Sequence, residues 1–173
     1  MMQINLSELI SKEGKILEIE AVYEPEVFRT KLGDYPIVKK DPIQLRFTNL
    51  GEKRILLEAV ISISLLFPCD RCLEEVQKDF HIEVEREFDM KLSDTERIEA
   101  LDETNFISGN NLDVDAFVYG EILLNLPMKV LCRKDCKGIC NRCGTNLNYG
   151  TCNCDTTELD PRMAKIRDIF ENL

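Results

Sequence analysis

Eight cysteines carry the chemistry of this 173-residue chain, and six of them fall between positions 132 and 154. The block reads Cys132-x3-Cys136-x3-Cys140-x2-Cys143-Gly144, then Cys152-x-Cys154, with Cys69-x2-Cys72 about sixty residues upstream. Thiolates at such spacing converge on one ion, and zinc takes four of these soft donors in a closed tetrahedron. Eight cysteines make two such sites per chain with none left over.

Local spacing ranks the donors. Cys140-Asn141-Arg142-Cys143-Gly144 is a knuckle in which Gly144 takes the positive φ that lets backbone amides reach the sulfurs. Cys152-Asn153-Cys154 is tighter, but both thiolates still reach one ion, and the loop from Gly144 to Thr151 is short enough to fold back. Cys140, Cys143, Cys152 and Cys154 are therefore the strongest local set. Cys132 and Cys136 then remain for Cys69 and Cys72, a long-range site that would staple the block to the tip of a sheet. Spacing does not prove that division: eight cysteines split into two fours in dozens of ways, and an interleaved set stays open.

Other uses of cysteine fit less well. No basic start or apolar run resembles a signal peptide, and no stretch of about eighteen apolar residues spans a membrane. The chain is thus expected in the cytoplasm, where disulfides do not persist. An iron–sulfur cluster also takes four cysteines, but the extended ferredoxin-type run is missing. Eight thiols are too many for one redox dithiol, and catalytic zinc would need an open position that these donors close. There is one histidine, His81, on the outward face of a predicted strand, and neither a phosphate-cradling glycine loop nor a nucleophile elbow. The chain reads as non-catalytic, with no small-molecule substrate.

The net charge is −10, and two filled four-thiolate sites would take it to about −14. Such a molecule does not bind nucleic acid through its average charge. Residues 74–103 hold twelve acids against four bases, which reads as a solvated strand face plus loop. Residues 129–142 are the basic spot, with Lys129, Arg133, Lys134, Lys137 and Arg142 against Asp135.

The elements that position these groups follow from periodicity. Residues 43–48 alternate apolar and polar, Asn49-Leu50-Gly51-Glu52 turn, and Leu57, Ala59, Ile61, Ile63, Leu65 and Phe67 then share one face. After the Cys69 knuckle, Phe80, Ile82, Val84 and Phe88 resume the pattern. A period of two predicts antiparallel strands with one wet face. Residues 16–23 add a strand, whereas residues 24–42, with Pro25, Pro36 and Pro42, read as an irregular connection, and residues 92–112 as a loop. Asp113 caps a predicted helix near 113–126, stopped by Pro127, and Asp160-Pro161 opens another. The expected fold is α+β: an antiparallel meander or barrel-like sheet with one or two packed helices. Its organisation is a sheet domain over residues 1–131, a cysteine-rich zinc-ribbon-like segment over 132–156, and a C-terminal helix over 157–173.

Several stretches resemble the YceD family, whose members are described as large ribosomal RNA subunit accumulation proteins. They are Cys69-Asp70-Arg71-Cys72-Leu73, Tyr119-Gly120-Glu121-Ile122-Leu123-Leu124-Asn125-Leu126-Pro127 and Leu131-Cys132 through Cys154. The block includes Asp135-Cys136-Lys137-Gly138-Ile139-Cys140 and Cys143-Gly144-Thr145-Asn146-Leu147-Asn148, and the likeness closes at Asp160-Pro161-Arg162-Met163-Ala164. Val130 stands where the family pattern often has proline, a departure that touches no ligand. The resemblance implies a non-catalytic role in synthesis, processing or stability of large-subunit ribosomal RNA. With that role, Arg133, Lys134, Lys137 and Arg142 would contact phosphate, and Tyr149 would stack a base. The bland alternative is that these cations offset thiolate charge. A competing class is a zinc-stapled protein-binding module whose acidic run 74–103 engages a basic ribosomal protein or assembly factor.

Overall fold

The computed structural model of the chain describes residues 2–91 and 106–154. Alternation builds its sheet. In β5 (Ile43–Gly51), Ile43, Leu45 and Phe47 are buried while Gln44 and Arg46 face water. β6 (Arg54–Pro68) and β7 (Glu75–Asp89) repeat the pattern over fifteen residues each. β2 (Ile16–Ala21) pairs antiparallel with β5, from Ile16 opposite Thr48 to Ala21 opposite Ile43. β5 pairs with β6, and β7 with β6. The sheet is antiparallel and open; it does not close into a barrel.

The proline-rich stretch is not irregular, as its composition led us to expect. It holds β3 (Val27–Arg29) and β4 (Asp34–Lys40), paired with each other, and β4 also pairs with β6. β4 and β5 run in nearly continuous register along β6, with Lys40 opposite Ile63 and Gln44 opposite Val60. They amount to one strand interrupted at Asp41-Pro42, where proline cannot donate to the ladder. Pro36 sits inside β4 opposite Val27, and the next amide, Ile37, donates to the Glu26 carbonyl at 3.0 Å. The prolines mark the breaks rather than forbid the strands.

A second, small sheet orders β1 (Gln3–Asn5), β9 (Asn111–Asp113) and β8 (Ile107–Ser108). It replaces the end of the predicted loop 92–112, because Phe106, Ile107 and Leu112 are buried; residues 92–105 lie outside the described residues. The N-terminus also carries a one-turn helix, α1 (Ser7–Ile10). The predicted helix after Asp113 is present as α2 (Val114–Leu124), and Asp113 accepts from the Ala116 amide at 3.0 Å. Its apolar stripe is buried, with Phe117 edge-on to Phe106 at 5.1 Å. The helix expected over 157–173 falls outside the described residues.

Asn49 joins α1 to β5. Its buried amide donates to the carbonyls of Leu9 (2.9 Å), Ile10 (3.3 Å) and Lys12 (3.0 Å), while its oxygen accepts from the Gly51 amide at 2.9 Å. Removing it strands buried backbone groups, each worth about 1–3 kcal/mol. Asn49→Ala is expected to lower stability by about 2–3 kcal/mol in urea denaturation, with the slope of the transition unchanged.

The chain forms two compact units. One comprises Met1–Phe67 and Val76–Met128; the other comprises Pro68–Glu75 and Lys129–Leu173 and contains all eight cysteines.

Candidate metal centres

Cys69 and Cys72 occupy the turn between β6 and β7. Cys69 donates its amide to the Glu74 carbonyl at 2.8 Å, and the Leu73 amide returns to the Cys69 carbonyl at 2.9 Å. The knuckle of Cys140 and Cys143 repeats this pattern: the Cys140 amide reaches the Thr145 carbonyl at 2.9 Å, and the Gly144 amide reaches the Cys140 carbonyl at 2.9 Å. In both, the residue after the second cysteine has a left-handed backbone, at φ 72° for Gly144 and φ 64° for Leu73. Glycine adopts that region freely; leucine does so at a cost of roughly 1–2 kcal/mol.

The eight sulfurs gather into two sets. Cys69, Cys72, Cys132 and Cys136 form one, Cys140, Cys143, Cys152 and Cys154 the other, with the sulfurs of each set within 4.8 Å of one another. Cys69 Sγ lies 3.8 Å from Cys136 Sγ, and Cys72 Sγ lies 3.5 Å from Cys132 Sγ. A tetrahedron with zinc–sulfur bonds of about 2.3 Å has edges of about 3.8 Å, so the donor set fits that ion. Both groups can hold a metal ion. The first is mostly buried; in the second, Cys143 is exposed.

The electrostatics point the same way. Burial pushes the Cys69 thiol up, but hydrogen bonds from the Arg71, Cys132 and Cys72 amides outweigh it and hold it at about 6. Cys136, bonded by Asn148, is also lowered, whereas Cys72 is pushed up to about 12 and Cys132 is raised. The second group repeats the split. Cys140 and Cys143 go down, Cys143 to about 6 chiefly through Thr145, while Cys152 and Cys154 go up. Four thiolates this close repel, so some stay protonated unless a cation joins them.

A polar shell surrounds the first group. The Cys132 amide donates to Cys69 Sγ and the Asn148 side chain to Cys136 Sγ, both at 3.3 Å. Asp70 accepts from the Val130 amide at 2.6 Å and donates its own amide to the Val130 carbonyl at 2.9 Å. Arg71 donates from Nη1 to the Cys136 carbonyl at 2.7 Å and accepts from the Ile139 amide at 3.1 Å. Sequence reasoning missed this shell. The polar run Thr145-Asn146-Leu147-Asn148, between knuckle and last cysteine pair, was the available signal.

Gly138 passes directly over the Arg71 carbonyl. Its φ is 81°, and a Cβ there would lie 3.0 Å from that oxygen. Gly138→Ala combines left-handed strain with backbone crowding, together about 2 kcal/mol. Faster metal loss to a chelator is expected, with the sheet's hydrogen exchange unchanged.

The candidate RNA-contacting residues are all exposed, in the unit that carries both centres. Arg133 donates to the Asn148 carbonyl at 3.3 Å and lies 3.9 Å from Asp135; the Lys137 amide donates to Asn148 Oδ1 at 2.8 Å. Lys134 and Arg142 stand among them in the sequence, and Tyr149 is 75% exposed. The hydrogen bond that the Tyr149 hydroxyl donates to the Glu74 carboxylate, with that group's charge, raises its pKa. The acids of β7, including Glu83, Glu85 and Glu87, line its outward face with His81. No helix of the described residues is long and apolar enough to cross a membrane.

Fold and site together define a class: an open antiparallel sheet whose longest hairpin is tipped by one of two four-cysteine centres. The chain belongs to the YceD family, described as large ribosomal RNA subunit accumulation protein YceD, which matches residues 57–170. Uncharacterized protein Rv2926c of Mycobacterium tuberculosis is 24% identical over 98% of this chain and 81% of its own length. Uncharacterized protein YlbN of Bacillus subtilis is 26% identical over 71% of this chain and 70% of its own. The chloroplastic large ribosomal RNA subunit accumulation protein YCED homolog 1 of Arabidopsis thaliana is 27% identical over 36% of this chain and 19% of its own. No solved structure matches.

Proposed function

We propose that this protein is a non-catalytic factor in the synthesis, processing or stability of large-subunit ribosomal RNA. Zinc fills both four-cysteine centres, and the exposed cations around them touch RNA or large-subunit precursor particles. The observation that carries this reading is family membership over residues 57–170, a span that includes both centres. Arg133, Lys134, Lys137 and Arg142 lie between or beside ligand cysteines, so the metals would hold them as a cationic surface on an acidic chain. Tyr149 offers a ring for stacking.

A second reading rests on the exposed carboxylates Glu75, Asp79, Glu83, Glu85 and Glu87 along β7. That face suits a basic ribosomal protein or assembly factor. One experiment separates the two. Ultraviolet crosslinking and co-sedimentation with large-subunit precursors are measured in lysate with and without nuclease. Association that disappears with nuclease, with crosslinks mapping to large-subunit RNA, is expected. Association that survives nuclease and weakens only with salt favours the acidic face. Failure to associate with precursors in either condition removes the ribosomal reading.

A further inference from the structure

We infer that the two four-cysteine centres bind their metals cooperatively, through a bridge made by Asn148 and Asn146; this rests on the reading that both hold a divalent metal. The bridge is visible in the hydrogen bonds. The loop 144–151 is closed at its ends by Cys143 and Cys152, both members of the second group. Its interior residues, however, serve the first. Asn148 Nδ2 donates to Cys136 Sγ at 3.3 Å, and Asn148 Oδ1 accepts from the Lys137 amide at 2.8 Å, immediately after that ligand. Asn146 Oδ1 accepts from the Asn148 amide at 2.9 Å, which fixes the Asn148 backbone. Asn146 Nδ2 donates to Glu74 Oε1 at 3.2 Å, and the other Glu74 oxygen lies 3.7 Å from Cys72 Sγ.

One ligand of the first centre, Cys136, thus accepts a hydrogen bond from a loop whose two ends the second centre holds, and the same loop fixes Glu74, the carboxylate beside Cys72. The ladder between the centres reinforces the link: the Leu147 amide donates to the Gly138 carbonyl at 2.9 Å, and Ile139 bridges Asn146.

The physical consequence follows from loop entropy. With the second centre empty, the chain from Cys143 to Cys152 samples many shapes, and Asn148 is seldom placed against Cys136. A metal in the second centre removes that freedom in advance, so the first centre binds without ordering the loop itself. Reciprocity requires the first metal to raise affinity at the second by the same factor. Outer hydrogen bonds to metal ligands typically contribute 10–100-fold in affinity, which sets the coupling at about tenfold. Asn148 is a positioning residue here, since it touches a ligand sulfur and not the ion.

The test is a native mass-spectrometric titration of the full chain, stripped of metal under reducing conditions and given substoichiometric zinc. In wild type, the product of the two-metal and metal-free fractions divided by the square of the one-metal fraction should lie about tenfold above its value for independent equal sites. Asn148→Ala should keep the capacity for two metals but bring the distribution close to independent binding. Asn153→Ala, between the last two cysteines but outside the bridge, should retain the cooperative distribution. Hydrogen exchange in β5 and β6 checks that each variant is folded. An independent distribution in wild type, or cooperativity undiminished in Asn148→Ala, would overturn the inference while leaving the metal reading standing. No zinc uptake at all would remove both.

Discussion

Stripping the metal is expected to unfold the cysteine unit and to leave the sheet of β2, β5, β6 and β7 protected. The reason is how little apolar material that unit buries. Among its described residues, Val130 is the one buried aliphatic side chain; the other buried apolar positions are Cys69, Cys72, Cys136 and Cys140 themselves. One valine contributes about 1.5–3 kcal/mol, against a backbone entropy cost of roughly 1–2 kcal/mol for every residue ordered. Metal binding at such sites supplies on the order of 10 kcal/mol each, enough to reverse the balance. Native mass spectrometry of protein purified without added metal should therefore show two zinc ions per chain. After chelation, hydrogen exchange should rise throughout 129–154 and 68–75 while the strands of residues 43–67 hold. A native mass reporting four disulfides and no metal would defeat the prediction, as would a chelated protein with unchanged exchange.

Replacing Lys134, Lys137 and Arg142 together with Glu is expected to abolish RNA association without touching a ligand. All three side chains are exposed, and the bridge uses only the backbone amide of Lys137. Four phosphate contacts give a log–log salt slope of about −3 on single strands, and each contact removed takes away about 0.7 of it. At about 0.1 M salt the loss of three contacts lowers affinity by on the order of 100-fold, before repulsion from the new carboxylates is counted. The measurement is binding to large-subunit ribosomal RNA fragments across a salt series, with zinc content followed in parallel. A variant that keeps two metals, the wild-type slope and its precursor association would shift the functional surface to the acidic face of β7.

The strands with two-residue periodicity over six or more positions could be read from the chain, because a buried face forces alternation on them. β5, β6 and β7 are of this kind, and Asp113 likewise announced α2 by its capping chemistry. β1, β8 and β9 could not be read this way: two or three residues carry no period, and β1 finds its partner 106 or more residues away. β4 was hidden differently. None of its side chains is fully buried, so its composition resembles a connection, and Pro36 argues against a strand when partners are unknown. The cysteine spacing singled out the second four-cysteine group, but left the first to elimination. What placed Cys132 and Cys136 beside Cys69 and Cys72 are contacts such as Asp70 with Val130 and Arg71 with Cys136, made by residues whose types announce nothing.

The position of the first centre also bears on synthesis. β6 and β7 form a hairpin of two fifteen-residue strands, yet the four-cysteine group at their turn is completed by cysteines encoded about sixty positions later. A ribosome adding roughly 5–20 residues per second reaches Cys136 several seconds after Cys72. Through that interval Cys69 and Cys72 emerge as a half-site, two thiols with no tetrahedron to join. Stalled nascent chains ending before Cys132 should present both to an alkylating probe, and chains extended beyond Cys136 should shield them. A metal at the hairpin tip would close the site only once the ribosome has delivered the last two of its four sulfurs.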